Sequence, residues 1–173
     1  MSDLLPIAPG LDEPLEILEA CHGRIEQKFQ TLEKLLAHLP KFGADAAAQT
    51  AITGVLRYFD SAAQHHHEDE EQDLFPCLRR LAPDDAELMA LLDRLLEQHQ
   101  SLATAWQALR AELVAVAAGD AAALHADTVA CAASGYRQHI ALENGELLPR
   151  ARQVLPKGEV EILSRAMTAR RRT

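Results

Sequence analysis

The sequence predicts an all-α protein, an up-down-up-down four-helix bundle with a short extra C-terminal helix. Three observations lead there. Hydrophobic residues make up 48% of the 173, but aromatics only 4%. Leu and Ala carry most of that apolar content and lose little freedom in a helix, whereas the β-branched and aromatic residues that favour strands are sparse. Apolar residues recur at spacings of three and four along four long segments, the period of a helix with one buried face. Pro and Gly cut the chain between those segments into short connections, and helices joined by short turns pack against their neighbours as a bundle.

An N-terminal arm over about residues 1–12 precedes a single domain over 13–172, since a chain this long has room for one core. Asp12-Glu13-Pro14 reads as a helix start, an acidic cap followed by Pro in the first turn. Its stripe is Leu15, Leu18, His22, Ile25, Phe29, Leu32, Leu36 and Leu39, closed by Pro40 and Gly43. The second helix begins near Asp45, carries Ile52, Leu56, Phe59, Ala63, His66, Glu70 and Leu74, and runs to about Asp73, with a break or kink at Pro76. The third opens at Pro83-Asp84-Asp85, presents Leu88, Leu92, Leu95, His99, Leu102, Trp106, Leu109 and Leu113, and ends at Gly119. The fourth runs from Asp120 to about Leu148, with Val129, Ala132, Tyr136, His139, Glu143 and Leu147 on its stripe, and stops at Pro149. A short fifth spans Pro156 to about Arg170, and the arginines that follow suit the negative end of its dipole.

The charge balance, 17 Lys+Arg against 26 Asp+Glu, argues against nucleic acid and anionic membranes as partners. The N-terminus lacks the basic start and apolar run of a signal peptide, and no segment is apolar for long enough to span a bilayer. Cys21, Cys77 and Cys131 are odd in number and widely spaced, as in a reduced, cytoplasmic protein. There is no Gly-rich phosphate loop, no Cys-rich zinc pattern and no Ser/His/Asp arrangement.

The informative feature is what interrupts the apolar seams. Every stripe contains a histidine, and two carry a glutamate one turn later. A buried, uncompensated carboxylate costs several kcal/mol, so a core holding two Glu and four His needs something to neutralise it. His22 lies 17 residues before Leu39, His66 21 after Asp45, His99 20 before Gly119 and His139 19 after Asp120. At about 1.5 Å per residue all four sit roughly 25–32 Å from the same end of the bundle. An internal repeat sharpens this: His66-x3-Glu70-x3-Leu74-Phe75-Pro76 is echoed by His139-x3-Glu143-x3-Leu147-Leu148-Pro149. Two hairpins, each giving one His and one His-x3-Glu, would build a symmetric site for two metal ions bridged by the two glutamates. Mixed imidazole and carboxylate donors suit iron, and manganese and zinc are compatible.

Among the remaining candidates, only one of the adjacent His65, His66 and His67 can point straight inward, and stripe and repeat both select His66. The pair His67 and Glu71 stands one residue out of phase as the alternative, and His65 is expected to face solvent. Glu68, Asp69 and Asp73 read as a solvated face, although one of them could hydrogen-bond a ligand imidazole. Tyr136, one turn from His139, is a core aromatic or a neighbour of the site. His38 suits a helix C-terminus, and His125 is too far along its helix to join the layer.

With these residues in view, the chain resembles the hemerythrin-like, or HHE cation-binding, family, in particular its bacterial members. The resemblance is carried by His66 to Pro76, by His139-x3-Glu143, by the opening Pro14-Leu15-Glu16-x-Leu18-x2-Cys21-His22 and by the closing Leu163-x2-Ala166-Met167-x2-Arg170-Arg171. It implies a four-helix bundle with a non-haem di-iron centre that binds, senses or reacts with O2, peroxide or nitric oxide. By matching position it implies His22, His66, Glu70, His99, His139 and Glu143 as ligands, with Glu70, Glu143 and an oxo or hydroxo group bridging two iron ions. An oxidase or peroxidase-like enzyme and a non-catalytic binder or sensor both remain open. Iron storage or delivery, or repair of damaged iron centres, is the alternative. Two departures from the O2-carrying members stand out. Ala103 occupies the place of their second third-helix histidine, and Glu143 lies four rather than five residues past His139. Six donors where the carriers have seven would leave a coordination position for an exogenous ligand.

Overall fold

The computed structural model describes residues 13–172; the expected N-terminal arm lies outside them. All regular structure among the described residues is helical, arranged as a bundle. Helix α1 (Pro14–Phe42) starts as expected, with Pro14 and Glu16 in its first turn. It runs through Pro40, which sits in the last turn where only one hydrogen bond is forfeited, and stops when the Gly43 N–H closes onto the Leu39 carbonyl at 2.8 Å. Helix α2 (Ala46–Phe59) is capped by the Asp45 carboxylate, which accepts from the Ala48 N–H at 2.9 Å.

The expected second helix is not continuous. It is interrupted at Asp60 and Ser61 before α3 (Ala62–Glu68). Ser61 leaves helical geometry, at φ −138° and ψ −80°, and its hydroxyl donates to the Arg57 carbonyl at 2.6 Å. The Asp60 carboxylate meanwhile accepts from Trp106 and Arg110 of the facing helix.

Both prolines that were expected to break or stop a helix are instead absorbed. Residues Asp69–Leu74 form a π-helical turn that leads into α4 (Phe75–Leu81), and Glu143–Leu147 form another that leads into α7 (Leu148–Val154). The N–H groups of Phe75 and Leu148 reach back five residues, to the carbonyls of Glu70 and Glu143. This wider turn lets the chain pass Pro76 and Pro149, whose rings would clash with the carbonyl four residues back in an α-helix. The fourth helix therefore runs on to Val154 rather than ending at Pro149.

Helix α5 (Ala86–Ala118) is capped by Asp85 and ends at Gly119, in the left-handed region at φ 81°. Helix α6 (Ala126–Leu142) begins at Ala126, not Asp120. The intervening residues turn back toward α5, where Glu112 accepts from the His125 N–H and the Thr128 hydroxyl. Helix α8 (Lys157–Arg170) is the last helix among the described residues.

Helix α1 lies against α2 and α6, and α5 lies against α6 and α2. The core they enclose has two apolar parts. One contains Phe29, Phe59, Trp106, Leu109 and Tyr136; the other contains Leu18, Leu74, Phe75, Leu92 and Leu148 with Leu163 and Met167 of α8. Along each long helical span the stripe histidine falls between the two parts, so a polar layer divides an otherwise apolar interior. No helix among the described residues is long and apolar enough to cross a membrane.

Candidate metal centre

The layer contains His22 from α1, His66 from α3, Glu70 from the first π turn, His99 from α5, His139 from α6 and Glu143 from the second π turn. All six are between 0% and 4% exposed. The side chains that the seam pattern singled out therefore do meet, at one level, in the middle of the core.

The two carboxylates lie between two pairs of imidazoles. Glu143 turns Oε2 to His22 Nε2 at 2.9 Å and to His66 Nε2 at 3.9 Å, and Oε1 to His139 Nε2 at 3.0 Å and to His99 Nε2 at 4.0 Å. Glu70 turns Oε1 to His66 Nε2 at 3.7 Å and Oε2 to His99 Nε2 at 3.4 Å. Two overlapping four-residue groups result, His22, His66, Glu70 and Glu143 on one side and His99, His139, Glu70 and Glu143 on the other. Within each, the donor atoms all lie within 4.8 Å of one another. Donors sharing an ion at about 2.1 Å stand about 3–4 Å apart, which matches these spacings.

The outer faces of the rings are tied down. His22 Nδ1 meets Asn144 Oδ1 at 2.7 Å, His99 Nδ1 meets Glu71 Oε1 at 2.6 Å and His139 Nδ1 meets Gln98 Oε1 at 2.9 Å. A neutral ring that donates Nδ1–H outward presents a bare lone pair on Nε2 toward the layer, the form in which an imidazole ligates a cation. Among the described residues, every buried side-chain nitrogen or oxygen without a hydrogen bond belongs here: His22 Nε2, both nitrogens of His66, His67 Nε2 and all four oxygens of Glu70 and Glu143. Buried polar atoms are nearly always satisfied, so this concentration of unpaired polar atoms fits a cation at each end of the carboxylate pair.

The electrostatics of the metal-free layer agree. Burial drives the His66 imidazole down to about 3, with the surrounding histidines adding to the shift. Burial likewise holds His67 and His99 below the ordinary histidine value. Burial, and then the neighbouring Glu143 charge, pushes Glu70 well above the usual carboxylate range. Burial pushes Glu143 up as well, but the imidazoles of His139 and His22 outweigh it and hold this carboxyl well below that range. Glu70 is thus held toward its protonated form and Glu143 toward its charged form, so that an ion bound between them displaces the proton on Glu70.

The alternative pair separates. Glu71 is 44% exposed on its side chain and holds His99 from outside, whereas His67 turns toward α5. Its ring stacks on His99, with centroids 4.0 Å apart, and a nitrogen of His67 lies within 4.8 Å of those of His99 and His139. Residues 66 and 67 diverge by about 100° on a helix, so one faces His22 and the other the opposite histidine pair. Tyr136 is a buried member of the aromatic cluster with Phe29 and Phe59, and its ring centroid lies 6.4 Å from that of His67. His65 is half-buried and joins neither group. His38 bonds the Asp45 cap at 3.0 Å, and His125 pairs with Glu112. Asp69, expected on a solvated face, is 1% exposed and is met by Arg170 and Arg171. Gln98 and Asn144 were not anticipated. Each is a sequence neighbour of a layer residue, but each acts on a ring from a different helix, which periodicity along one helix does not display.

Comparison with known proteins agrees with this layer. An uncharacterized protein of Haemophilus influenzae is 32% identical over 160 residues, covering 92% of this chain and 91% of its own. Residues 13–151 match the model of the hemerythrin HHE cation-binding domain, and on that match and its His/Glu layer the chain belongs to the hemerythrin family of metal-binding proteins.

Proposed function

We propose that the layer holds two iron ions and that the protein binds, senses or reacts with a small oxidant such as O2, peroxide or nitric oxide. The observation that carries this reading is the division of each carboxylate, one oxygen toward each histidine pair. On this reading His22 and His66 hold one ion and His99 and His139 the other. Glu70 and Glu143 bridge them, together with an oxo or hydroxo group. His67 is the seventh donor, reaching the His99/His139 ion from α3, so that the absence of a histidine at Ala103 is made up from another helix. The scaffold is an up-down-up-down arrangement of four helical spans, α1, α2–α4, α5 and α6–α7, in one domain over residues 13–172. Iron in such a donor set supplies a redox-active centre that accepts small ligands.

The chain's own residues limit what reaches it. A cavity of about 90 Å³ is lined by His67 together with Gln64, Ala103, Trp106, Gln107 and Tyr136 among others. Sites for organic molecules are about 300–1,000 Å³, so this one suits a diatomic molecule or a peroxide. The six inner donors are buried at 0–4% exposure, which favours a resident centre over an iron carrier that must release its cargo.

Protein purified from iron-replete cells should contain two irons per chain, and the double variant His66→Ala/His139→Ala should lose both. Less than one ion in the parent, or undiminished iron in the variant, rules the reading out. Anaerobic reduction followed by O2 then separates the outcomes. A reversible absorption band marks a binder or sensor, and turnover of peroxide marks an enzyme.

A further inference from the structure

Helix α8 lies outside residues 13–151, the stretch matched by the family domain, yet its last residues touch the turn that carries Glu70. Asp69 is buried at 1% exposure. A carboxylate there is costly unless it is paired. Its strong partners come from the end of α8: Arg170 Nη1 meets one oxygen and Arg171 Nη2 donates to the other at 2.5 Å. Arg170 extends further, with Nη2 2.7 Å from Asp73 Oδ2 and 3.3 Å from Gln72 Oε1, and Nε 3.5 Å from Glu68 Oε2. One guanidinium therefore touches residues 68, 69, 72 and 73, on both sides of Glu70 in the first π turn.

Among the described residues the second half of the molecule has no counterpart. In the internal repeat Glu70 corresponds to Glu143 and Asp69 to Leu142, a partly buried apolar residue. The approximate symmetry of the two halves breaks where α8 docks. Glu143 has His22 and His139 within about 3 Å, whereas the imidazoles nearest Glu70 stand at 3.4 and 3.7 Å. The carboxylate with the looser inner contacts is the one braced from outside.

We propose that Arg170 and Arg171 form a latch that positions Glu70. By gripping Asp69 and spanning the first π turn they hold the widened backbone in the shape that aims this carboxylate into the layer. The proposal rests on the two-ion reading for its consequence, retention of metal, but not for the conformational hold itself. Removing the arginines leaves α8 seated by Leu163 and Met167 in the core and by Glu159 against Arg80 at 2.8 Å.

The test compares full-length parent, Arg170→Ala/Arg171→Ala, and the same pair with Asp69→Leu, which removes the buried charge and copies the second half. Two quantities are read: release of Fe(II) to a ferrous chelator, and amide hydrogen exchange of residues 69–74 in metal-free protein. In the double variant release should accelerate about tenfold or more, and exchange should rise at 69–74 but not in α5. The triple variant should remain fast in both, because the brace is still missing. A folded double variant within twofold of the parent in both readouts overturns the latch. So does return of the triple variant to parental behaviour, which would reduce the arginines to mere charge compensation. If the double variant does not fold, Arg171→Gln, which keeps Arg170, should show the same changes at smaller amplitude, and parental values there overturn the proposal. A parent that holds no iron refutes the two-ion reading, while the exchange data still decide whether the latch holds the turn.

Discussion

At the residue scale, the proposed centre depends on the outward nitrogens of the rings as well as on the inward ones. An imidazole whose Nδ1–H is held presents Nε2 in the right tautomer and orientation before any ion arrives. Asn144 does this for His22 and Gln98 for His139. Asn144→Ala and Gln98→Ala should each weaken iron retention by about 10–100-fold with the helical fold intact, as read by chelator competition and circular dichroism. Unchanged retention in both would assign the orientation of the rings to packing alone. The inner six were legible in the sequence because each is an anomaly on an apolar stripe, and anomalies at helical spacing are visible along one segment. Gln98 and Asn144 were not, since an amide beside a stripe is ordinary until the facing helix supplies its partner. His67 falls between the two cases. It was visible as a phase-shifted alternative to His66, but a choice of one inward residue overlooks that two histidine pairs lie side by side, one for each of two adjacent residues.

At the scale of elements, the glycines show how local the determinants of the helix ends are. Gly119 holds φ 81° at the end of α5, and a Cβ there would meet nothing within 4 Å. The cost of Gly119→Ala is therefore a backbone cost, about 1–2 kcal/mol in denaturant unfolding. Gly54 lies inside α2, where a Cβ again meets nothing, so Gly54→Ala should stabilise by about 0.5–1 kcal/mol. Equal effects of the two would mean that the end of α5 is not set at Gly119. The starts capped by Asp45 and Asp85 and the end at Gly119 were readable for this reason, whereas α6 starts at Ala126 and not at the acidic Asp120. The π turns were not. A widened turn at Glu70 and Glu143 departs from the 3.6-residue period on which the reading depends, and Pro76 and Pro149 signal a broken helix unless the bond back to the fifth residue is known to form. The break at Asp60 and Ser61 was equally hidden, because Phe59 and Ala63 keep their stripe spacing across it.

At the scale of the whole molecule, the two apolar halves of the core are separated by a layer that the metal-free protein must keep almost free of charge. His66, driven to about 3, and His67 and His99, also lowered, stay neutral in the fold at pH values where the unfolded chain protonates them. As pH falls through 6.5 the unfolded state gains protons that the folded state does not, so stability falls by up to about 1.4 kcal/mol per pH unit for each ring. Glu70 runs the other way. Its folded value is raised, so from 4.5 up to that value the unfolded chain has lost a proton that the fold keeps, and stability falls as pH rises. Over that range it offsets one of the three rings, leaving a net slope of at most about 2.5 kcal/mol per unit near pH 5.5. Glu143, held low, contributes above 4.5 and is lost only below it. The metal-free protein should therefore lose denaturant stability steeply between pH 6.5 and 5, before most surface carboxylates titrate. Iron-loaded protein should be more stable at each pH by RT ln(1 + [L]/Kd), about 2.7 kcal/mol at a hundredfold excess over Kd. That margin should shrink as protons compete for the donors. Chemical denaturation of both forms across this range measures the two slopes. A flat metal-free curve between pH 7 and 5 would mean that the three imidazoles carry charge inside the fold, and the layer would then be a buried ion-pair network rather than a set of neutral donors.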